Sequence, residues 1–578
     1  MIISKKSSMF LISIILSLFV HTGAYADILY SAASNGYNND RIGLIEGFKA
    51  PAKDLVTNLG GTMGSNVFSY KTAGGASRAA VSQYTGGEDV IWIYNPYDTS
   101  WKAPLAELGS KENPICNIRS MAASGNYLYG IGYDKSQVAR FDMKDNKYVR
   151  DKYFAGLGNY WHGEGLVTYK DHVYGVFTYS TNPWSPSVGY GPNRLIKFDK
   201  DLNIVTSMDL NSRNVDGGSV KGACTLYGDT LYIAAIGGYQ HYDGTPNDES
   251  MVEAVNLDTM TAKVLVKNTD LYNRFPEIKK WIYDFRSICI TPSKDVYIQT
   301  GGWNYGGGGN GCLIFKTTLD KLKDGNVGTI VKNFSWTSAF IVFGMAYDKD
   351  TGCLYTTGAE GSNQYNGSVY RYDGNKWLTP YDSNSLGGNI CAFDVLKKPS
   401  FTFSSDDVSV KSDAGAVSAV NIKLNDEVSD LSGLSDYSTV INGIDSNSVV
   451  RSCTAITVSL DHSLISDMAP VTFTIENFTA ELSSNGRLMA FIKKHGSAKY
   501  DMFDAAYNSE TKKLTFTIEP VGDYFTEGTV VIGEAAGRIA PEHSSSGSGG
   551  CNAGFGLILL FAALPVAVRK VIYFNRKM

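Results

Sequence analysis

Gly125-Asn126-Tyr127-Leu128-Tyr129 returns along the chain with its residue types kept and its identities changed. The later copies are Lys170-Asp171-His172-Val173-Tyr174, Gly228-Asp229-Thr230-Leu231-Tyr232, Lys294-Asp295-Val296-Tyr297 and Thr351-Gly352-Cys353-Leu354-Tyr355. Each is a polar turn followed by an apolar strand that closes on tyrosine. The tyrosines lie 45, 58, 65 and 58 residues apart. Before each turn stands another apolar strand. After each tyrosine comes a Gly/Asn-rich loop, then a third strand often closing on Asp (138–142, 195–199, 252–258, 312–316, 368–373) and in most copies a fourth. Four-stranded units repeated at such a period are the signature of a β-propeller.

Six full units begin near residues 61, 113, 159, 217, 282 and 336. A seventh is assembled from both ends of the repeat region. Gly388-Asn389-Ile390-Cys391-Ala392-Phe393-Asp394 reads like the first strand of the preceding unit, Phe343-Gly344-Met345-Ala346-Tyr347-Asp348, and nothing after it supplies three more strands. Residues 28–30, 41–45 and 53–57 do. Residues 27–396 are therefore expected to form a seven-bladed β-propeller closed by strand exchange, which leaves no open sheet edge. Beyond Lys397-Lys398-Pro399 the texture changes to alternating strands between turn signals. Residues 399–535 are read as an immunoglobulin-like β-sandwich serving as a spacer.

Composition agrees with an all-β body. The 578 residues include Gly 60 and Tyr 36, and only 19% are charged. The net charge of −5 understates the acidity of the middle. Two of the 52 basic residues lie in 1–26 and four in 551–578, with no acids in either, so the remainder holds 46 basic against 57 acidic residues, a net −11. Nucleic acid is not expected as a partner for such a surface.

Both ends read as targeting segments. Lys5-Lys6, the apolar run from Met9 to Val20, and Ala24-Tyr25-Ala26 have the order of a secretory signal peptide, with cleavage expected after Ala26. An uncleaved anchor is the alternative, but the run is short for a span. At the other end, residues 536–550 contain the flexible Ser544-Ser545-Ser546-Gly547-Ser548-Gly549-Gly550. Residues 551–578 follow with Cys551-Asn552-Ala553-Gly554, an apolar stretch from Phe555 to Val568, and Arg569-Lys570. This order resembles the C-terminal sorting tails of secreted proteins from Synergistes-type bacteria. The resemblance covers about the last 30 residues. It implies export, transient membrane insertion, and cutting near Cys551 by a sorting protease that attaches the protein at the cell surface. The segment Val571–Phe574 and a second basic group make this tail longer than a minimal one. A plain membrane anchor is the alternative, and both place the body outside the cytoplasm.

Eight cysteines are spread without a CxxC pair, which excludes zinc-finger and thioredoxin motifs. No metal site or cofactor is expected. The segment from Asp348 to Gly352 has the look of a calcium-loop fragment but lacks the later acidic ligand, so it is read as a turn. Cys224, Cys289 and Cys391 are read as equivalent inner-strand positions, beside Leu166 and Met345, that pack between blades.

The two propeller faces differ in elaboration. Turns between first and second strands are short. Loops on the other face are long and rich in aromatics, Gly and Asn. They carry Tyr37, Trp184, Tyr239, His241, Trp303 and Tyr305, and the blade-joining loop adds Trp161. Loops on a rigid scaffold carry function, and rings with nearby amides suit sugars. Aligned on the tyrosines, Arg119, Glu164, Lys221, Arg286 and Asn389 fall near the channel mouth, where cations could hold an anionic ligand. His162 and Glu164, two apart on a strand, are the nearest thing to an acid–base pair. The expectation is an exported protein that binds an extracellular glycan, cell-wall or protein ligand. A polysaccharide hydrolase or lyase and an adhesion protein are the alternatives.

Overall fold

In the computed structural model, the described residues are 27–33, 41–45, 52–57, 66–72, 77–83, 90–95, 100–101, 115–143, 148–181, 190–215, 221–237, 250–277, 284–302, 310–336, 344–349, 351–358, 368–381, 389–397, 405–412, 415–416, 419–425, 441–442, 449–460, 470–480, 487–493, 497–519 and 527–536. They are almost entirely strand. Residues 27–397 contain seven four-stranded antiparallel sheets. Their first strands are Val67–Lys71, Ile118–Ser124, Trp161–Tyr169, Cys224–Tyr227, Asp284–Ile290, Met345–Asp348 and Asn389–Val395, in blades 1 to 7. Each first strand contacts those of the two neighbouring blades, and that of blade 7 contacts that of blade 1, so the ring is closed.

Blade 7 is made from both ends of the repeat region. Asn389–Val395 pairs with Ile28–Ala33, which pairs in turn with Arg41–Ile45 and then Lys53–Thr57. The register runs Ile28 to Val395 and Tyr30 to Phe393.

The recurring residues have identifiable work. Tyr129, Tyr174, Tyr232, Tyr297 and Tyr355 are all buried. The Tyr129 hydroxyl donates to the Lys200 carbonyl of the next blade at 3.3 Å, and Tyr174 repeats this on Leu257 at 3.3 Å. An aromatic body thus fills the gap between blades while its polar tip finds an acceptor. The Asp that closes the third strand builds the hairpin to the fourth. Asp199 accepts from the backbone N–H groups of Asp201 and Asn203, each at 2.9 Å, and Asp373 accepts from Asn375 and Lys376 at 2.9 and 2.8 Å. In blade 4 that role falls to Asn256, while Asp258 pairs with Lys170 at 2.7 Å.

Among the described residues, the hairpins between first and second strands of blades 2 to 6 each hold one left-handed residue: Gly125, Lys170, Gly228, Lys294 and Gly352, with φ between 52° and 67°. The Asp348–Gly352 segment is such a hairpin, with Asp348 accepting from the Thr351 hydroxyl at 2.6 Å. Two short helices lie outside the repeat pattern. Helix α1 (Asn268–Arg274) sits within the longest tyrosine spacing, and α2 (Leu319–Lys323) buries Leu319 and Leu322 between the third and fourth strands of blade 5.

Nine strands between residues 408 and 536 form one continuous order. The strand Tyr500–Asn508 turns the corner: Tyr500 to Asp504 pair with Lys493 to Met489, and Ala505 to Asn508 pair with Phe516 to Lys513. Two half-sheets thereby share one apolar core that includes Ile456, Phe473, Phe491's neighbours Ala490 and Ile492, Phe516 and Ile532. Among the described residues no helix is long and apolar enough to cross a membrane. Residues 1–26 and 537–578, with Ala26 and Cys551, lie outside the described residues, as do Tyr37, Trp184, Tyr239, His241, Trp303 and Tyr305.

Candidate functional site

A funnel of about 550 Å³ runs along the propeller axis, lined by the first strands of all seven blades. Its shape follows from β-bulges placed on the ring. In blade 2 pairing slips between Ile118 and Ser120, in blade 3 between Gly163 and Gly165, and in blade 5 between Phe285 and Ser287. The extra residues are Arg119, Glu164 and Arg286, each three before the partner of its blade's tyrosine. A bulge re-aims one side chain without ending the strand. In blade 7 the slip leaves out Cys391, two before the partner of Tyr30. Lys221 and Asn389 sit one position further out than the three bulged residues. The expected ring of five is therefore two levels.

The same register corrects the cysteines. Cys224 pairs with Ile233, one past Tyr232, the position held by Leu166 and Met345. Cys289 pairs with Tyr297 itself, one position later. Burial lifts the thiols of Cys224 and Cys289 to about 12, with Glu164 adding to the rise at Cys224. They are thiols, not nucleophiles, at neutral pH.

Of the five residues expected at the mouth, Glu164 and Lys221 line the funnel, and the three cations among the five are each engaged. Lys221 lies before the sheet of its own blade and crosses the axis, bridging in parallel to Gly344 of blade 6. Its carbonyl accepts from Met345 N–H at 2.9 Å and from the Ser287 hydroxyl at 2.6 Å. Its Nζ donates to Asp394 at 2.7 Å. One residue thus ties blades 4, 5, 6 and 7 together. Asp394 also accepts from the Ser69 N–H at 2.8 Å. Arg286 donates to Asp284 at 2.6 Å, with both side chains buried. Arg119 lies over the Tyr133 ring, 4.4 Å from its centroid. Glu164 is buried on the funnel wall.

His162 is placed between blades 2 and 3. Its ring stacks on Tyr133 at 4.3 Å, and Nδ1 donates to the Tyr133 carbonyl at 3.3 Å. Nε2 is buried near the backbone of Ser180. Desolvation lowers its pKa below 6.5, and the Arg119 charge acts in the same direction, against the Tyr133 and Ser180 backbone and Asp134. Neither ring nitrogen is offered to solvent. The bulge separates the roles of the two residues: Glu164 faces the funnel, whereas His162 fills an inter-blade gap. Glycines flank the bulge because atoms of the neighbouring strands leave no room there for a Cβ. A Cβ at Gly165 would lie 2.5 Å from the Cys224 sulfur, and one at Gly163 would lie 2.6 Å from the Gly132 carbonyl.

Trp161 belongs to an aromatic group at the start of blade 3. Its ring meets Tyr179 edge-on at 5.1 Å, and the Arg194 guanidinium lies 4.7 Å from the indole centroid while donating to Asp209 at 2.8 Å. Tyr160 completes the group, edge-on to Tyr179 at 6.3 Å, 53% exposed, with φ of 72°. A bulky residue in the left-handed region is uncommon and carries a backbone cost.

Lys71, Lys349 and Lys397, also on the funnel wall, were not anticipated. Their signal was present: the first strand of blade 1 ends on Tyr70-Lys71, and those of blades 6 and 7 are followed by Lys349 and by Leu396-Lys397. No group of three or more metal-ligating side chains is present among the described residues.

No family model matches the chain, and no curated protein matches it. Among solved structures it is similar to a functionally unknown protein from Desulfotomaculum acetoxidans, with 10% identity over 65% of this chain and 100% of that one and a TM-score of 0.40. It is also similar to Kuenenia stuttgartiensis hydrazine synthase, with 13% identity, 53% and 76% coverage and a TM-score of 0.33. A third is the WD40 domain of Toxoplasma gondii coronin, with 11% identity, 59% and 79% coverage and a TM-score of 0.32. At such scores these likenesses carry no argument about activity.

Proposed function

We propose that the chain is an exported, surface-tethered recognition protein. The propeller is the binding head, and residues 399–535, read as an immunoglobulin-like sandwich, are the spacer. The Ser/Gly stretch and C-terminal segment form the tether. The ligand is extracellular glycan or cell-wall material, met on the aromatic loop face. The supporting observation is the Tyr160, Trp161, Tyr179 and Arg194 group: an exposed Tyr160 ring beside the half-buried Trp161 and Tyr179, braced by a cation, on the face whose loops are the longest and most aromatic in the sequence. A ring that covers sugar CH faces beside a guanidinium that bonds hydroxyls is a fitting arrangement for such a ligand. The placement of His162 argues for binding over acid–base catalysis.

The test is a melting series on the detergent-solubilised intact chain with neutral oligosaccharides, acidic oligosaccharides, cell-wall fragments and peptides. A ligand at a hundred times its Kd adds roughly 2.7 kcal/mol of stability. The expected result is a shift from one glycan class that Tyr160→Ala and Trp161→Ala abolish. A glycan consumed during incubation, with turnover lost in Glu164→Gln, would replace binding by catalysis. No shift with any sugar would leave protein adhesion in its place.

A further inference from the structure

The far end of the funnel, where the first strands end, lies opposite the strand start that carries Trp161, and its chemistry is different. Lys71 ends the first strand of blade 1, and Lys349 and Lys397 follow those of blades 6 and 7; the three blades are consecutive around the ring, so these lysines converge on one sector of the wall. The side-chain nitrogen of Lys397 lies 5.7 Å from the Phe68 ring centroid and that of Lys221 lies 5.6 Å from it. Carboxylates in this sector are already occupied. Asp394 accepts from Lys221, from Ser69 N–H and from Val395 N–H, and Asp348 accepts from Thr351. Among the described residues, neither Lys349 nor Lys397 has a carboxylate within ion-pair distance. This cationic sector sits inside a body whose net charge is −11.

We propose that this end of the funnel binds a small anion with two or more carboxylate or phosphate groups. Its charged groups meet Lys71, Lys349 and Lys397, and its body rests on Phe68, Tyr347 and Leu396. The volume, about 550 Å³, suits a ligand of sugar-acid or oligophosphate size. Converging ammonium groups recognise such anions as point charges without fixed bond geometry. The state of Lys397 supports the assignment. Its ammonium is surrounded by protein mass although the side chain opens onto the funnel, and its pKa is lowered by desolvation first. Asp394 opposes that, and Lys221, Lys71 and Lys349 reinforce it. An anion among these lysines would reverse the imbalance. The inference concerns a different site from the aromatic face and does not depend on what that face binds.

The experiment uses the intact solubilised chain, titrated calorimetrically with citrate, pyrophosphate and glucose at low salt. Citrate or pyrophosphate is expected to bind and glucose not. Which of the two binds more tightly identifies the carboxylate or phosphate source. Lys349→Gln and Lys397→Gln are each expected to weaken binding about tenfold. Lys397→Arg should retain it, and Lys411→Gln, on the nine-strand module, should not change it. In parallel, reductive methylation of the unaltered protein near neutral pH, read lysine by lysine by mass spectrometry, is expected to modify Lys397 rapidly. The bound anion should slow that modification several-fold. Absence of binding by both anions would overturn the proposal, as would Lys411→Gln weakening binding equally. So would unprotected Lys397 at saturating anion, a result that stands even if a substituted chain folds poorly.

Discussion

His162 shows how a residue chosen for chemistry can be fixed for packing. Its neutral ring stacks on Tyr133 and spends Nδ1 on a carbonyl, so protonation must charge a half-buried group beside Arg119. The folded pKa is below the ordinary 6.5, and burial is the largest cause. A group with a depressed folded value adds stability that is present above about pH 6.5 and lost as pH falls through the folded value. Urea unfolding from pH 7.5 to 4.5 should therefore show wild type losing more stability than His162→Phe, which keeps the stack and cannot titrate. Parallel pH curves for the two would contradict this placement. Sequence located His162 and Glu164 correctly on one strand. It could not show that an extra residue at the Gly163–Gly165 bulge breaks the alternation, because a bulge changes no residue type. The lysines Lys71, Lys349 and Lys397 were missed for a related reason: a charge at or just past a strand end looks like solvent-facing punctuation until the ring brings three such ends together.

At the scale of elements, the hairpins between first and second strands carry the clearest rule. The left-handed residue is Gly at 125, 228 and 352 but Lys at 170 and 294. L-residues pay about 1 kcal/mol there, and glycine does not. Lys294→Gly should therefore raise stability by up to about 1 kcal/mol, the gain being reduced by the entropy glycine adds to the unfolded chain. Gly228→Ala should lower stability by about 1 kcal/mol. Denaturant midpoints at constant m-value decide both. Opposite signs would mean that these turns relax out of the left-handed region at little cost. The repeat was legible because its residues do recurring jobs in several blades. Tyr129 and Tyr174 bond the next blade, and Asp199 and Asp373 close hairpins with their own side chains. Helices α1 and α2 were not, since seven and five residues are too short to show an apolar period against strand-rich surroundings.

For the whole molecule the decisive feature is closure. Strand Ile28–Ala33 stands between Asn389–Val395 and Arg41–Ile45, so the ring is held shut by backbone pairing between residues more than 350 apart in sequence. Ile28, Leu29, Tyr30 and Ala32 are fully buried, and they join two inter-blade cores, one toward blade 6 and one toward blade 1. This strand was legible as the missing partner of an orphan first strand, a counting argument independent of propensity. Its energetic weight follows from the same count. Removing it deletes two rows of ladder bonds and uncovers two unpaired edges, which invite pairing with other chains. It also empties four core positions, each large one worth about 1.5–3 kcal/mol of burial. A chain lacking residues 27–33 should therefore lose cooperative folding of the propeller and associate through the exposed edges. Supplying the peptide of residues 27–33 in trans should restore a monomer with a sharp transition if pairing alone is missing. Size-exclusion chromatography and calorimetric melting read both outcomes. A shortened chain that stays monomeric and melts within a few degrees of the full one would mean that the six complete blades close on themselves and the exchanged strand is an accessory.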